Sequence, residues 1–219
     1  MSDAGDTPGN GENGGRDHPG DGPGWPIALH GVTETVVTTL GPNDRWNAAA
    51  LGIRGEIEAG QTAPVAARTW DRTRTRRNFE HRGEGYVQFV DNPLLFVETA
   101  LGIEEREEPV LAEAAAWVCV EVERRAEGES DGTEWVDWEV RPVESAVERL
   151  TVPTIDRGFN AVIEATVWVS RLDVEGYDRA ELETRLDFLE DVARTCGGEH
   201  ERAAFERLWE LALDQPSEE

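Results

Sequence analysis

The chain has 219 residues and no lysine, so all 21 of its basic residues are arginine, against 46 aspartates and glutamates and a formal net charge of -25. This charge argues against a nucleic-acid partner, which requires a basic surface, and no apolar stretch reaches membrane-spanning length, so we expect a soluble cytoplasmic protein without a membrane partner. Two cysteines, Cys119 and Cys196, are too few for a disulfide framework and lack the spacing of a zinc site, and no metal site is expected.

The charge imbalance is typical of proteins from salt-in halophilic archaea. In about 1 M salt the Debye length falls to roughly 3 Å, so neighbouring surface carboxylates hardly repel one another. At low salt the same charges destabilise the compact state. The absence of lysine from a chain of this length is improbable by chance. We therefore interpret the composition as that of a halophilic protein rather than of an ordinary acidic protein.

We assign residues 1–26 to a disordered acidic tail, because up to Gly24 they are rich in Gly, Asp, Pro and Asn and hold no periodic apolar residues. A β-rich body over residues 27–150 follows, in which Val- and Thr-rich or alternating segments predict six strands. The predicted strands span residues 31–40, 46–57, 64–70, 85–90, 116–128 and 133–144.

Two helices are predicted within this body, one following Asp71 as its N-cap and one over residues 91–102, with Pro near its start and Gly at its end. From Asp156 the apolar spacing changes to that of helices, although strand alternation also fits the first segment. A capping box from Asp178 to Glu181 predicts the next helix. We therefore expect residues 151–219 to form a helical subdomain packed on the β-rich body.

Residues 68–82 form a cationic island with a net charge of +4 in this anionic chain. Helix N-terminal amides, hydroxyl groups and guanidinium groups together suit a phosphate. An arginine-rich surface paired with the protein's own carboxylates explains the same composition, and so loose a pattern does not decide between the two. The basic residues of the island are Arg68, Arg72, Arg74, Arg76, Arg77 and Arg82.

Several segments resemble an archaeal family of domains of unknown function, number 447. They are TETVVTT (33–39), NAAALGI (47–53), a short strand ending in Arg68-Thr69 with a Thr- and Asn-bearing helix after it, GYVQFVDNPLLFVETALG (85–102) and, more weakly, RGFNAVIEATVWVSRL (157–172). Their order is similar to that of FMN-binding split barrels, including flavoredoxin-like flavin reductases. The resemblance covers roughly residues 27–213. It implies a β-rich α+β fold, in which a six-stranded antiparallel, Greek-key-like split barrel with a C-terminal helical subdomain binds FMN at a homodimer interface.

The resemblance also implies which residues contact FMN. The strand segment Asn47, Ala48, Ala49 and Ala50 would run beside the isoalloxazine ring, although a tightly packed barrel strand needs equally small residues. Arg68 and Thr69 would lie near the ribityl–phosphate end. The phosphate would be held by Thr73, Arg74, Thr75 and Asn78, and several arginines of the segment 72–77 fit halophilic ion pairing equally well. Trp46 and Trp70 flank this site, where a core or interface position explains each of them more simply than stacking on the flavin.

Two functions follow from this resemblance. One is an FMN-dependent oxidoreductase of the flavin reductase or flavoredoxin type, with a nicotinamide or ferredoxin-like electron donor. The other is a non-catalytic dimer that binds FMN or another ligand. Flavin reduction needs no obligatory protein acid or base, so the sequence does not separate them.

Overall fold

The computed structural model describes residues 22–130, 132–174 and 176–214, and its strands form a barrel beside a layer of helices. The strands are β1 (Leu29–Leu40), β2 (Trp46–Ile57), β3 (Val65–Trp70), β4 (Glu84–Phe89), β5 (Glu104–Arg106), β6 (Ala116–Ser130) and β7 (Thr133–Val147). The helices are α1 (Arg74–Arg82), α2 (Pro93–Leu101), α3 (Arg157–Val169), α4 (Arg179–Cys196) and α5 (Glu199–Asp214).

Six antiparallel strands close the barrel in the order β1-β4-β6-β7-β3-β2, and β2 pairs back with β1 along its whole length. The predicted six-stranded antiparallel barrel is therefore confirmed. β5 pairs with the first three residues of β2 and extends the sheet outside the closed ring. This short strand was not predicted, because its sequence Glu-Glu-Arg has neither β-favouring residues nor an alternating pattern.

The interior of the barrel is filled by alternate residues of the strands. In β3, for example, Val65, Ala67 and Thr69 are buried and the residues between them are exposed. Trp25 is fully buried in the same core, and its indole N–H donates a hydrogen bond to the carbonyl of Ala63 at 2.9 Å. Trp25 thus belongs to the barrel and not to the predicted tail. The sequence interpretation missed it because a single tryptophan gives no periodic signal. The rest of that tail, up to residue 21, lies outside the described residues.

The helices pack on one another and on the barrel through α2. Val97 of α2, Val162 of α3, Leu186 of α4 and Leu208 of α5 are all fully buried in one cluster. A second buried cluster joins the helices to the barrel, where Phe96 of α2 packs with Val36 of β1 and Ala48 of β2. The predicted helices are present, and within the described ranges no helix is long and apolar enough to span a membrane.

The starts of three helices test the predicted caps. Asp156 and Asp178 cap α3 and α4, because their carboxylates accept backbone N–H groups of the first turns. The N-cap prediction for Asp71 is wrong, since Thr73 caps α1 by accepting the amide of Arg76 at 3.3 Å. Asp71 instead has a φ of 53° and accepts the amide of Arg72 within the turn that leads from β3 to α1. The chain needs this turn before the helix can begin.

Candidate functional site

A cleft of about 1010 Å³ lies between the barrel and the helical layer. Residues of β1, β2, β3, β6 and β7 line it on the barrel side. The C-terminal parts of α2 and α3 line it on the helical side, and the start of α1 also contributes to it. The cleft thus brings together segments that are far apart in the sequence.

The cleft opens where β2 and β3 separate. These strands pair only at Ile53–Ala67 and Arg54–Ala66, while β5 pairs with β2 only at residues 46–48. Residues 49–52 of β2 therefore have no strand partner on the side away from β1 within the described structure. This part of β2 has the sequence Ala-Ala-Leu-Gly and lines the cleft, where Ala49 and Ala50 carry small side chains. The side chains of Val32 and Glu34 on β1 lie beside Gly52.

The start of α1 lies at the same cleft. Thr73 and Thr75 both line it. The amides of the first turn of any helix have no intrahelical carbonyl partner, and they carry the positive end of the helix dipole. Thr75 is largely buried, but its hydroxyl is not among the fully buried polar atoms and is therefore accessible from the cleft. These groups together form a site suited to an anion.

The arginines of the cationic island mostly pair with the protein's own carboxylates. Arg68 forms a bidentate ion pair with Asp137 at 2.7 and 2.9 Å, which lowers the pKa of that carboxyl. The guanidinium of Arg68 also lies 4.1 Å from the centre of the Trp135 ring. The remaining pairs are Arg72–Glu134, Arg74–Glu105, Arg76–Glu80 and Arg76–Glu134. Ion pairing, the alternative to phosphate binding, therefore accounts for these four arginines.

Six of the ten residues that the resemblance assigned to the cofactor line the cleft, namely Ala49, Ala50, Arg68, Thr69, Thr73 and Thr75. Four do not. Ala48 is buried between the barrel and α2, and Asn47 is buried on β2 between β1 and β5. Arg74 donates to Glu105 at 2.8 Å, and Asn78 donates its amide to the carbonyl and hydroxyl oxygens of Thr39.

Of the two tryptophans that were predicted to flank the site, only Trp70 lines the cleft, and its side chain is 47% exposed. Trp46 packs edge-on against Tyr86, with ring centres 5.4 Å apart, outside the cleft lining.

The sequence interpretation missed the cleft residues that come from distant segments. They are Glu34 on β1, Arg54 on β2, Phe96, Thr99 and Ala100 on α2, Arg125 on β6, Glu139 on β7, and Thr166, Ser170 and Arg171 at the end of α3. The segment 157–172 had been assigned by resemblance only to a helix, and that resemblance was the one signal that could have brought Arg171 to attention.

The cleft is less negative than the rest of the chain. Its lining holds four arginines against three carboxylates, in a protein whose net charge is -25. Hydrogen bonding to Arg125 lowers the pKa of Glu139. Burial, with the charge of Glu164 adding to it, raises the pKa of Glu34 above its ordinary value of 4.5. The described residues contain no group of His, Cys, Asp and Glu side chains that could hold a metal ion. The lining of the cleft therefore has a small excess of positive groups.

Comparison with known proteins relates this architecture to a family. The model described as Protein of unknown function (DUF447) N-terminal domain matches residues 33–149, and the model described as Protein of unknown function (DUF447) matches residues 156–210. An FMN-bound protein of this family from Methanosarcina mazei is 26% identical, with a TM-score of 0.69 over 83% of this chain and 95% of that chain.

Other solved structures are more distant. Component B of nitrilotriacetate monooxygenase from Bacillus cereus is 20% identical over 52% of this chain and 68% of that chain, with a TM-score of 0.40. The flavin reductase of styrene monooxygenase from Pseudomonas putida S12 is 11% identical over 56% of this chain and 83% of that chain, with a TM-score of 0.37. No curated protein matches the sequence. Because the two family models together cover most of the chain, this protein belongs to the DUF447 family.

Proposed function

We propose that this protein binds FMN in the cleft between its barrel and its helices and acts as an FMN-dependent oxidoreductase. The observation that carries the proposal is the unpaired edge of β2 at residues 49–52, which lies in the same cleft as the start of α1. The similarity to an FMN-bound family member over 95% of that protein's length supports the choice of cofactor.

The residues present fit the two chemically different ends of FMN. The small side chains of Ala49, Ala50 and Gly52 leave room for the isoalloxazine ring beside the strand backbone. The amides at the start of α1 that Thr73 does not cap, with the hydroxyl groups of Thr73 and Thr75, would hold the phosphate. Arg68 is already held by Asp137 and lines the cleft as part of a neutral pair.

The bound flavin would supply the electron transfer, while the chain positions it and sets the charge around it. A nicotinamide or a ferredoxin-like protein is the proposed electron donor. Anaerobic mixing of the FMN-loaded protein with NADH, NADPH or reduced ferredoxin, followed by the loss of flavin absorbance, tests this step. Flavin that stays oxidised with all three donors would favour the non-catalytic, FMN-binding alternative.

We further propose that the protein works as a homodimer in a salt-rich cytoplasm. Val32 and Trp70 line the cleft but are 53% and 47% exposed, so the cleft presents apolar surface that a second copy would cover. The net charge of -25 supports the salt-rich setting.

FMN binding is tested by titrating the cofactor-free protein with FMN and with riboflavin in molar KCl. We expect visible flavin absorbance on the protein and tighter binding of FMN than of riboflavin, because phosphate contacts are charge-assisted. Unchanged flavin fluorescence and unchanged melting temperature at saturating FMN would show that the cofactor assignment is wrong.

The phosphate site is tested by Thr75→Val, which removes a hydroxyl while preserving shape. Loss of one hydrogen bond to a charged group should weaken FMN binding by about tenfold or more and riboflavin binding far less. Thr184→Val on α4 is the matched control, because the Thr184 hydroxyl donates only to the backbone of its own helix, to the carbonyl of Ala180. Equal weakening of FMN and riboflavin by Thr75→Val would place the phosphate elsewhere.

A further inference from the structure

Two arginines in the cleft differ from most others in the protein. Acidic residues greatly outnumber arginines, and most of the described arginines form an ion pair, Arg68 and Arg125 in the cleft among them. Arg54 and Arg171 also line the cleft, but neither has a carboxylate within ion-pair distance among the residues that the structure describes. Other described arginines without an ion pair, such as Arg157, lie outside this cleft, whereas these two line it together.

The surroundings of Arg171 hold its guanidinium in place while leaving its hydrogen-bond donors free. The group lies 5.2 Å from the centre of the Trp168 ring and 5.6 Å from that of Tyr177. Arg185 contacts the Trp168 ring as well, at 4.6 Å. Stacking uses the flat face of a guanidinium, and its N–H edge remains available to a carboxylate or phosphate. The guanidinium of Arg171 therefore lies beside aromatic rings, and none of the described carboxylates pairs with it.

Arg54 lies on the barrel side of the cleft, two residues beyond Gly52 on β2. Its positive charge reaches Asp137 and helps to lower the pKa of that carboxyl, but Asp137 is already engaged by both donor groups of Arg68. Arg54 thus has no carboxylate of its own. Arg54 on β2 and Arg171 just after α3 line the same cleft, one from its barrel side and the other from its helical side.

The lining of the cleft extends beyond the residues that are proposed to hold FMN. The cleft volume of about 1010 Å³ is at the upper end of the roughly 300–1000 Å³ that is usual for a site holding one drug-sized ligand. If the start of α1 holds the phosphate of FMN, as proposed above, the two arginines are not needed for that group. We infer that Arg54 and Arg171 bind a second, anionic small molecule with a phosphate or carboxylate group, which is the reaction partner of the flavin. This inference rests on the proposed function.

The variants Arg54→Gln and Arg171→Gln test this inference, with Arg157→Gln as the matched control. Arg157 is exposed, lies outside the cleft lining and has no ion pair among the described residues. Pyrophosphate and citrate serve as phosphate and carboxylate probes, and glucose serves as an uncharged comparison, all at one fixed KCl concentration. Binding is measured by calorimetry on the FMN-free protein and by the change in the visible flavin spectrum on the FMN-loaded protein.

We expect at least one anionic probe to bind and glucose not to bind. Each cleft variant should weaken that probe by about tenfold or more, while Arg157→Gln leaves it unchanged and FMN affinity stays within about threefold of the wild type in all three variants. The stronger of the two probes identifies the chemical class of the partner molecule.

Three results would overturn the inference. They are the failure of both anions to bind, an equal loss of probe affinity in the cleft variants and in Arg157→Gln, and a loss of FMN affinity that parallels the loss of probe affinity. The last result would mean that these arginines hold FMN itself, and the proposed function would still stand. Failure of the wild type to bind FMN would instead remove the proposed function, whatever the probes do.

Discussion

Glu34 is the cleft residue whose charge the fold opposes most clearly. Burial and the negative charge of Glu164 on α3 raise its pKa above 4.5, so the folded state favours the protonated form. A carboxyl whose pKa is raised on folding leaves stability intact below its ordinary pKa and reduces stability as the pH rises through the raised value. We therefore expect Glu34→Gln to melt at a higher temperature than the wild type at pH 7 and at nearly the same temperature at pH 4.

Removing any single carboxylate from a chain of charge -25 relieves some general repulsion. Glu108→Gln controls for this effect, because Glu108 is exposed and lies outside the cleft lining. Melting curves of both variants between pH 4 and pH 8 give the comparison. If the melting temperatures of the two variants rise equally at every pH, the cleft environment of Glu34 has no specific effect on stability.

Single residues show what a sequence can reveal about a site and what it cannot. Ala49 and Thr75, which the resemblance assigned to the cofactor, line the cleft. They belong to a strand and a helix that the local sequence pattern predicts. Asn78 and Arg74 lie elsewhere, because a short helix turns its residues to several faces and their partners, Thr39 and Glu105, come from distant strands. Side-chain pairing across the fold is not encoded in local spacing.

Among the elements, strands and helices with a strong local pattern were predicted within a few residues. The Val- and Thr-rich β1 and the capped α3 and α4 are examples. What the sequence does not reveal is the separation of β2 from β3 beyond Ile53, which opens the cleft. β3 continues to Trp70 by pairing with β7 alone. This pairing depends on the closure of the whole barrel.

The segment before β1 allows a prediction about truncation. A chain that begins at Gly22 should keep the melting temperature and FMN affinity of the full protein, because Gly22 retains its hydrogen bonds to Ser145 and Trp25 stays in the core. A chain that begins at Pro26 loses the buried indole, and removal of a large aromatic side chain from a core costs about 3–5 kcal/mol. Thermal melts and FMN titrations of both chains measure the two melting temperatures and the two FMN affinities.

Two outcomes would contradict this prediction. If the chain that begins at Gly22 loses FMN affinity while its melting temperature is unchanged, residues 1–21 take part in the site. If the chain that begins at Pro26 is as stable as the full protein, the burial of Trp25 contributes little to the barrel.

For the whole molecule, the proposed homodimer leads to a mass measurement. Besides Val32 and Trp70, the apolar residues Val152 and Ile155 in the segment between β7 and α3 are 87% and 97% exposed. We expect light scattering in molar KCl to give twice the chain mass of 24.3 kDa, since high salt screens the repulsion between two acidic copies. A monomer mass with FMN bound would exclude a flavin site shared between two subunits.

The response to salt follows most directly from the charge of the whole molecule. The melting temperature should rise steadily with KCl, because self-repulsion among carboxylates is strongest at low salt and is screened at high salt. The ion pairs of the exposed arginines do not reverse this trend, since such pairs contribute little each. A melting temperature that does not change with KCl would contradict the halophilic interpretation.

FMN affinity should respond to KCl in two opposed ways. Salt stabilises the folded state, and only the folded state has the cleft, so affinity first increases. Salt also screens the attraction between the phosphate and the positive end of the helix dipole at the start of α1, so affinity then decreases. We expect apparent FMN affinity to pass through a maximum while the melting temperature continues to rise, and riboflavin, which lacks the phosphate, to show only the increase. A maximum shared by FMN and riboflavin would show that the decrease does not come from the phosphate.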